Sequence, residues 1–309
     1  MSKPNIRTWI ITEPGLTGTQ NQCLGVAQAL NLTAQIKEIK LRQPWKTLSP
    51  YISFEHKNTF IPPLAPTWPD LVIAGGRKAI TACRYIKRKN PATFTTFLQN
   101  PTAYHDMFDL IAAPAHDQIS GDNIIQTIGA PNLITPQTLA LEDTTQFDRL
   151  PAPHIALLLG GNSKTHKLTD AIMDKLITQL QSLDASFMIT PSRRTDPRHI
   201  EKLKAANLNA YIWNGHKTNP YKAILAAADT ILVTGDSTSM LSDAGTTGKP
   251  TYIVTLEGQS LKFDILYETF KQKNIARPFE GQIESWNYTP LTDAKTVADE
   301  IRNRMELKS

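Results

Sequence analysis

The chain has 309 residues, room for two domains at roughly 150 residues each, and its 40% hydrophobic and 20% charged content is ordinary for a globular protein. Thirty-three basic against 28 acidic side chains leave a net charge of +5. That suits an anionic ligand or a passing contact with an acidic membrane surface, and it does not call for nucleic acid.

In chain order, the first predicted strand is 8–11. It is followed by the polar stretch Thr17-Gly18-Thr19-Gln20-Asn21-Gln22 and a helix with Cys23, Ala27 and Leu30 on one face. A proline-rich, poorly periodic gap covers 43–69. The strand 71–74 then runs into Gly75-Gly76-Arg77, and the basic run 84–89 reads as a solvated helix face. Strands at 93–97 and 110–113 come next, the second running into Pro114-Ala115-His116-Asp117. Prolines 131, 136, 151 and 153 mark an interdomain linker. Beyond it lie strands at 155–159, 186–190, 210–213, 230–234 and 251–255, with Leu168, Ile172, Leu176, Leu180 and Leu183 marking a helix that starts near Lys167. A last helix covers 293–307. Short, nearly all-apolar strands alternating with helices predict an α/β chain of parallel sheets. Domain one is read as 1–150, domain two as 151–290, and the 291–309 helix as free to pack back on domain one.

Two cysteines, Cys23 and Cys83, sit at no metal-ligand spacing, so neither a disulfide framework nor a zinc site is expected. A polar N-terminus gives no secretory signal, and no stretch approaches the ~20 apolar residues of a spanning helix. The expectation is a cytoplasmic protein, at most peripheral to a membrane, with no metal and no cofactor.

Three loops of domain two carry the chemistry. Gly160-Gly161-Asn162-Ser163-Lys164 follows the strand 155–159. Its glycines admit close backbone approach, and a helix start just beyond would aim N–H groups at an anion. Asp236-Ser237-Thr238-Ser239 follows 230–234 and opens a helix. A Ser/Thr cap explains one hydroxyl there, not three in succession. Asp243, one turn on, is placed to accept from ribose hydroxyls. Ser192-Arg193-Arg194-Thr195 follows 186–190, and Arg suits bidentate phosphate contact. Loops at the carboxyl ends of parallel strands share one edge, so the three are expected to meet in one diphosphate site. In domain one, Asn21, Gln22 and Arg77 lie at the matching edge. His116 beside Asp117 is the candidate base with its orienting acid.

Two Rossmann-like domains facing across a cleft, with a diphosphate site in the second, is the GT-B arrangement, and residues 233–250 look like the nucleotide-sugar loop and helix of those enzymes. In the N-acetylglucosaminyl transferase of peptidoglycan synthesis a ribose-binding Glu precedes a Gly-x-Pro proline by seven residues, as Asp243 precedes Pro250 here. Over most of its length the chain resembles the Elm-type mitochondrial fission family, whose bacterial branch is assigned to glycosyltransferases. The matching stretches are NQCLGVAQAL (21–30), PDLVIAGGRKA (69–79), FDLIAAPAHD (108–117), LLGGNSK (158–164), TPSRRT (190–195), NPYKAILAAADTILVTGDSTSMLSDA (219–244) and ARPFEG (276–281), with Trp286 nearby. The chain departs from the family at GLTGTQNQ, where an acid or His is usual before Asn-Gln, and at Ala115, where Glu is usual. The resemblance implies a metal-independent transfer from a nucleoside diphosphate sugar to a saccharide or lipid-linked acceptor. A fission-type adaptor without catalysis, or a nucleotide-sugar epimerase of the same fold, are the alternatives.

Overall fold

Every residue of the stretch TWIIT is buried, as a parallel strand covered on both faces requires. It forms β1 (Thr8–Thr12) of a computed structural model that describes residues 6–51, 54–216 and 218–306. The chain continues through α1 (Thr17–Ala29), β2 (Ala34–Glu38) and a short antiparallel ladder of β3 (Lys40–Leu41) with β4 (Phe60–Ile61) that encloses the single turn α2 (Trp45–Leu48). Then come β5 (Leu71–Ala74), α3 (Arg77–Lys89), β6 (Phe94–Leu98), β7 (Leu110–Pro114) and β8 (Ile124–Thr127). Six of these strands pair in parallel in the order β2-β1-β5-β6-β7-β8.

The second stretch holds α4 (Pro136–Ala140), β9 (His154–Leu159), β10 (His166–Lys167), α5 (Asp170–Gln181), β11 (Ser186–Pro191), α6 (Pro197–Ala205), β12 (Ala210–Ile212) and α7 (Tyr221–Ala227). It goes on with β13 (Thr230–Thr234), α8 (Thr238–Thr246), β14 (Thr251–Val254), β15 (Glu257–Gly258), α9 (Leu261–Gln272) and β16 (Ala276–Pro278), before α10 (Asp293–Arg304). Its parallel sheet has the order β12-β11-β9-β13-β14-β16, and β10 pairs with β15 apart from it.

The chain divides into two compact units, Met1–Leu133 with Thr292–Ser309, and Ile134–Leu291. The division falls earlier than residue 150 because the linker is itself packed. Its α4 lies against α7, and Phe147 meets Tyr211 edge-on at 5.2 Å. In unit 1, alternate residues of β1 feed opposite cores. Ile10 joins Cys23, Val26 and Ile301 on the face of α1 and α10, and Trp9 and Ile11 join Ile80, Cys83 and Ile86 of α3. Unit 2 is built on Leu157, Leu176, Phe187 and Leu232.

Besides the two-residue strands β3, β4, β10 and β15, three strands of the parallel sheets had no sequence signal: β2, β8 and β16. All three are edge strands, and β2 is exposed or half-exposed throughout. α1 also begins at Thr17 rather than near Cys23, and α5 at Asp170 rather than near Lys167. The expected end of the last helix at 307 lies outside the described residues.

Candidate functional site

From β9 the chain of unit 2 moves through β11 to β12 on one side, then returns to build β13, β14 and β16 on the other. Strand order therefore reverses between β9 and β13, and in open parallel sheets ligands bind outside the carboxyl ends at such a reversal. The loops that leave β9, β11 and β13 meet there. The Gly160 N–H donates to Thr234 Oγ1 at 2.7 Å, and the Gly161 N–H to Asp236 Oδ2 at 3.1 Å. Thr234 in turn donates to Asp236 Oδ1 at 2.7 Å. Arg194 pairs with Asp236 at 2.6 Å and donates to the Asn162 carbonyl at 3.3 Å. Thr195 donates to the Leu159 carbonyl at 2.9 Å.

The glycines are fixed by this closeness. A Cβ on Gly160 would overlap the Asp236 carboxylate, and one on Gly161 the Arg194 carbonyl. The Asp236 side chain is fully buried with its oxygens engaged, so it welds the junction. Beside it α8 begins. Ser237 caps the helix, accepting from the Met240 N–H at 3.3 Å. Thr238 and Ser239 occupy its first turn, where backbone N–H groups have no acceptor within the helix.

Gly160–Lys164 does not open a helix, because β10 and a turn intervene before α5. Much of its hydrogen bonding closes on itself. The Ser163 N–H donates to the His166 carbonyl at 2.8 Å, and Asn162 Oδ1 accepts from the Leu168 N–H at 3.0 Å. What remains outward is charge. Lys164 and Arg193 are exposed and enter no ion pair among the described residues.

Asp243 is half-buried on α8, and its Oδ2 accepts from the Tyr221 hydroxyl, 2.9 Å away at the start of α7. Burial pushes its carboxyl up to about 7, against the opposing pull of that hydrogen bond and of Lys222. Burial first, then the nearby Asp243 charge, raises the Tyr221 phenol well above its ordinary value. Lys249 donates to the Leu225 and Ala226 carbonyls at the end of α7, at 2.8 and 2.6 Å, and burial lowers its ammonium to about 8.

The unit 1 candidates are more scattered. Asn21 and Gln22 lie inside α1, not in a loop; Asn21 is exposed, while Gln22 is buried and accepts from Gln99 Nε2 at 3.0 Å. Arg77 is exposed as the first residue of α3. His116 sits in a short turn after β7, 3.8 Å from Asp117, with its side chain only 1% exposed. The imidazole is thus held inside unit 1, whereas a base must meet its acceptor. Asp117 accepts from the Asn100 N–H at 3.2 Å.

Sequence reasoning passed over Glu13. Strand order also reverses between β1 and β5, and there the Glu13 carboxylate accepts from the Lys78 N–H at 2.9 Å and pairs with Lys78 Nζ at 2.6 Å. An internal anion thereby fills the N-terminus of α3. The available signal was an acid leaving one strand opposite a Gly-Gly turn leaving the next. Among the described residues no group of three or more His, Cys, Asp or Glu is placed to hold a metal ion, and no helix is long and apolar enough to cross a membrane.

Known structures share this architecture. S. aureus MnaA in its co-structure with UDP superposes with a TM-score of 0.55 at 11% identity, over 98% of each chain. The spinosyn forosaminyltransferase SpnP gives a TM-score of 0.52 at 13% identity, over 99% of this chain and 96% of that one. The UDP-GlcNAc 2-epimerase of Neisseria meningitidis, solved with UDP-GlcNAc, gives 0.51 at 12%, over 97% and 99%. At such identities the likeness shows the fold, an α/β chain with two parallel six-stranded sheets of the GT-B class.

Sequence relatives are more specific. The mitochondrial fission protein ELM1 of Arabidopsis thaliana is 29% identical over 77% of this chain, which spans 64% of that protein's length. RP120 of Rickettsia prowazekii is 28% identical over 97% of this chain and 98% of its own. The sequence profile described as mitochondrial fission ELM1 matches residues 17–305. That span takes in the junction of Gly160, Arg194 and Asp236 and every strand of the two parallel sheets except β1, and on it the chain belongs to the mitochondrial fission ELM1 family.

Proposed function

We propose that unit 2 binds a nucleoside diphosphate sugar and that the protein transfers the sugar to a saccharide or lipid-linked saccharide. The observation that carries this reading is the junction at the β9–β13 reversal, with the start of α8 and two exposed cations, Lys164 and Arg193, that form no ion pair among the described residues, on its loops. Ser237, Thr238 and Ser239 would donate to the diphosphate through hydroxyls and first-turn amides, where the helix dipole favours an anion. Arg193, with Lys164, would offset the charge that builds on the departing diphosphate. Gly161, Asn162 and Ser163 would line the same side. Asp243 as carboxylate would accept from the ribose hydroxyls. The solved neighbours that hold UDP or UDP-GlcNAc support the choice of ligand class.

Calorimetric titration with UDP, GDP, CMP and their sugars tests the reading. One nucleotide should bind, and Arg193→Ala should weaken it by about 10–100-fold, the equivalent of one charged hydrogen bond, with the melting temperature unchanged. Absence of binding across the panel at millimolar ligand would leave the adaptor reading that the family name carries. Conversion of the donor sugar without an acceptor would identify an epimerase.

A further inference from the structure

In unit 1 the segment between β3 and β4 encloses its one acid and leaves two aromatic rings outside. Three of its polar side chains, Glu55, Ser49 and Thr59, are buried. Trp45 packs half-buried against the core, but Phe54 is 82% exposed, Tyr51 68% and Leu48 40%. A loop that served only to connect strands would hide its phenylalanine and expose its glutamate.

The arrangement is built, not slack. Arg84 and Arg88 of α3 both reach Glu55, Arg84 Nε at 2.7 Å and Arg88 Nη2 at 2.6 Å. Arg84 also donates to the Pro50 carbonyl at 2.7 Å, and Ser49 and Thr81 share a hydrogen bond of 2.6 Å. The Tyr104 hydroxyl donates to the Tyr51 carbonyl at 2.7 Å. These bonds hold the backbone that carries Tyr51 and Phe54 against α3 while both rings stay in water.

The exposed charge of the stretch that carries the rings has one sign. Lys40, Arg42, Lys46 and Lys57 are exposed and make no ion pair among the described residues. Glu55 is the sole acid between residues 39 and 69, and it is the one enclosed by arginines. Apolar cores of protein interfaces are depleted in lysine. Exposed aromatic rings on a stretch whose exposed charges are all lysine and arginine are instead what an anionic bilayer surface selects, the rings entering the headgroup boundary and the cations meeting lipid phosphates.

We propose that this face docks on an anionic lipid bilayer, with Tyr51 and Phe54 inserted and Lys40, Arg42, Lys46 and Lys57 on the headgroups. The docking is independent of the nucleotide reading. It is tested by co-sedimentation of the full chain with vesicles of phosphatidylcholine alone and with phosphatidylglycerol added.

Binding should be at least about tenfold stronger on the anionic vesicles and fall as salt is raised, since screening shortens the reach of the cations. The double variant Tyr51→Ser/Phe54→Ser and the double variant Lys46→Glu/Lys57→Glu should each lose it. Both should keep wild-type circular dichroism, melting temperature and nucleotide affinity, which separates a failure here from a failure of the sugar-donor site. Equal binding to neutral and anionic vesicles, or wild-type binding by the Tyr51/Phe54 variant, overturns the proposal. So does a dimer in size-exclusion chromatography that the same variant abolishes, which would assign the face to a second copy of the chain.

Discussion

Gly161 shows how tightly the unit 2 junction is drawn. A methyl group there would overlap the main-chain carbonyl of Arg194, which has no flexible end to move aside. The Gly161 N–H is also committed to Asp236. Gly161→Ala is therefore expected to cost about 1–3 kcal/mol, the usual penalty of overpacking, read as a lower urea midpoint. An unchanged midpoint would mean that the loops part at no cost. The glycine pair was visible in the sequence as a place for close approach. What approaches it in the structure is Asp236 and Arg194, and neither partner could be named without knowing that β9 lies beside both β11 and β13. Asp243 carries a second prediction at this scale. Burial raises its folded-state carboxyl from 3.8 to about 7, so the native chain holds a proton that the unfolded chain releases near its ordinary value. This group's contribution is fully present below the unfolded value and is lost as pH rises through about 7. The loss is at most about 4 kcal/mol. Asp243→Asn should therefore flatten the fall in melting temperature between about pH 4 and 8, relative to wild type. If the carboxylate also accepts from ribose, nucleotide affinity rises over the same interval in wild type and not in the variant. Parallel melting curves for the two proteins would contradict the shifted carboxyl.

At the scale of elements, legibility followed burial. Strands covered on both faces, such as β7, β9 and β13, are continuous apolar runs and stood out as such. The missed strands of the parallel sheets lie at their edges, where half the backbone meets water and the side chains are free to be polar, as in AQIKE of β2. The early start of α1 has a different cause. Thr17, Gly18 and Thr19 are poor helix formers, and the apolar face proper begins at Cys23. Tertiary packing settles the matter: Gly25 lies so close to the Asn132 backbone that a Cβ would collide with it, and Cys23, Val26 and Ala27 share a core with α10. The same override moved the start of α5. Residues 162–168 are tied across their own turn by the Asn162–Leu168 and Ser163–His166 bonds, so the glycine loop faces no helix of its own. The strand-to-helix turn falls to α8 instead, where Ser237 is the cap that its residue type and position announced.

At the scale of the whole chain, the path leaves unit 1 after Leu133 and returns to it at Thr292. The return is secured by more than apolar contact. Asp293 is buried and accepts from the Ile128 and Gly129 N–H groups, at 2.9 Å each. Arg302 donates to the Ala29 carbonyl at the end of α1, and Arg304 donates to the Asp109 carbonyl just before β7 at 3.1 Å. Between these anchors Val297, Ala298 and Ile301 are fully buried among Ile10, Val26, Ile73 and Leu110. The last helix is thus part of the core beneath β1 and β5. Ile301→Ala removes a fully enclosed side chain at a site framed by two helices and a sheet, where collapse around the void is restricted. The expected cost is about 2–5 kcal/mol. Hydrogen exchange reports where the cost falls: amides of β1, β5 and α1 should lose protection, because their inner face is the one opened. If protection there stays at the wild-type level while the variant's melting temperature holds, α10 merely rests on a unit that the first 133 residues complete by themselves.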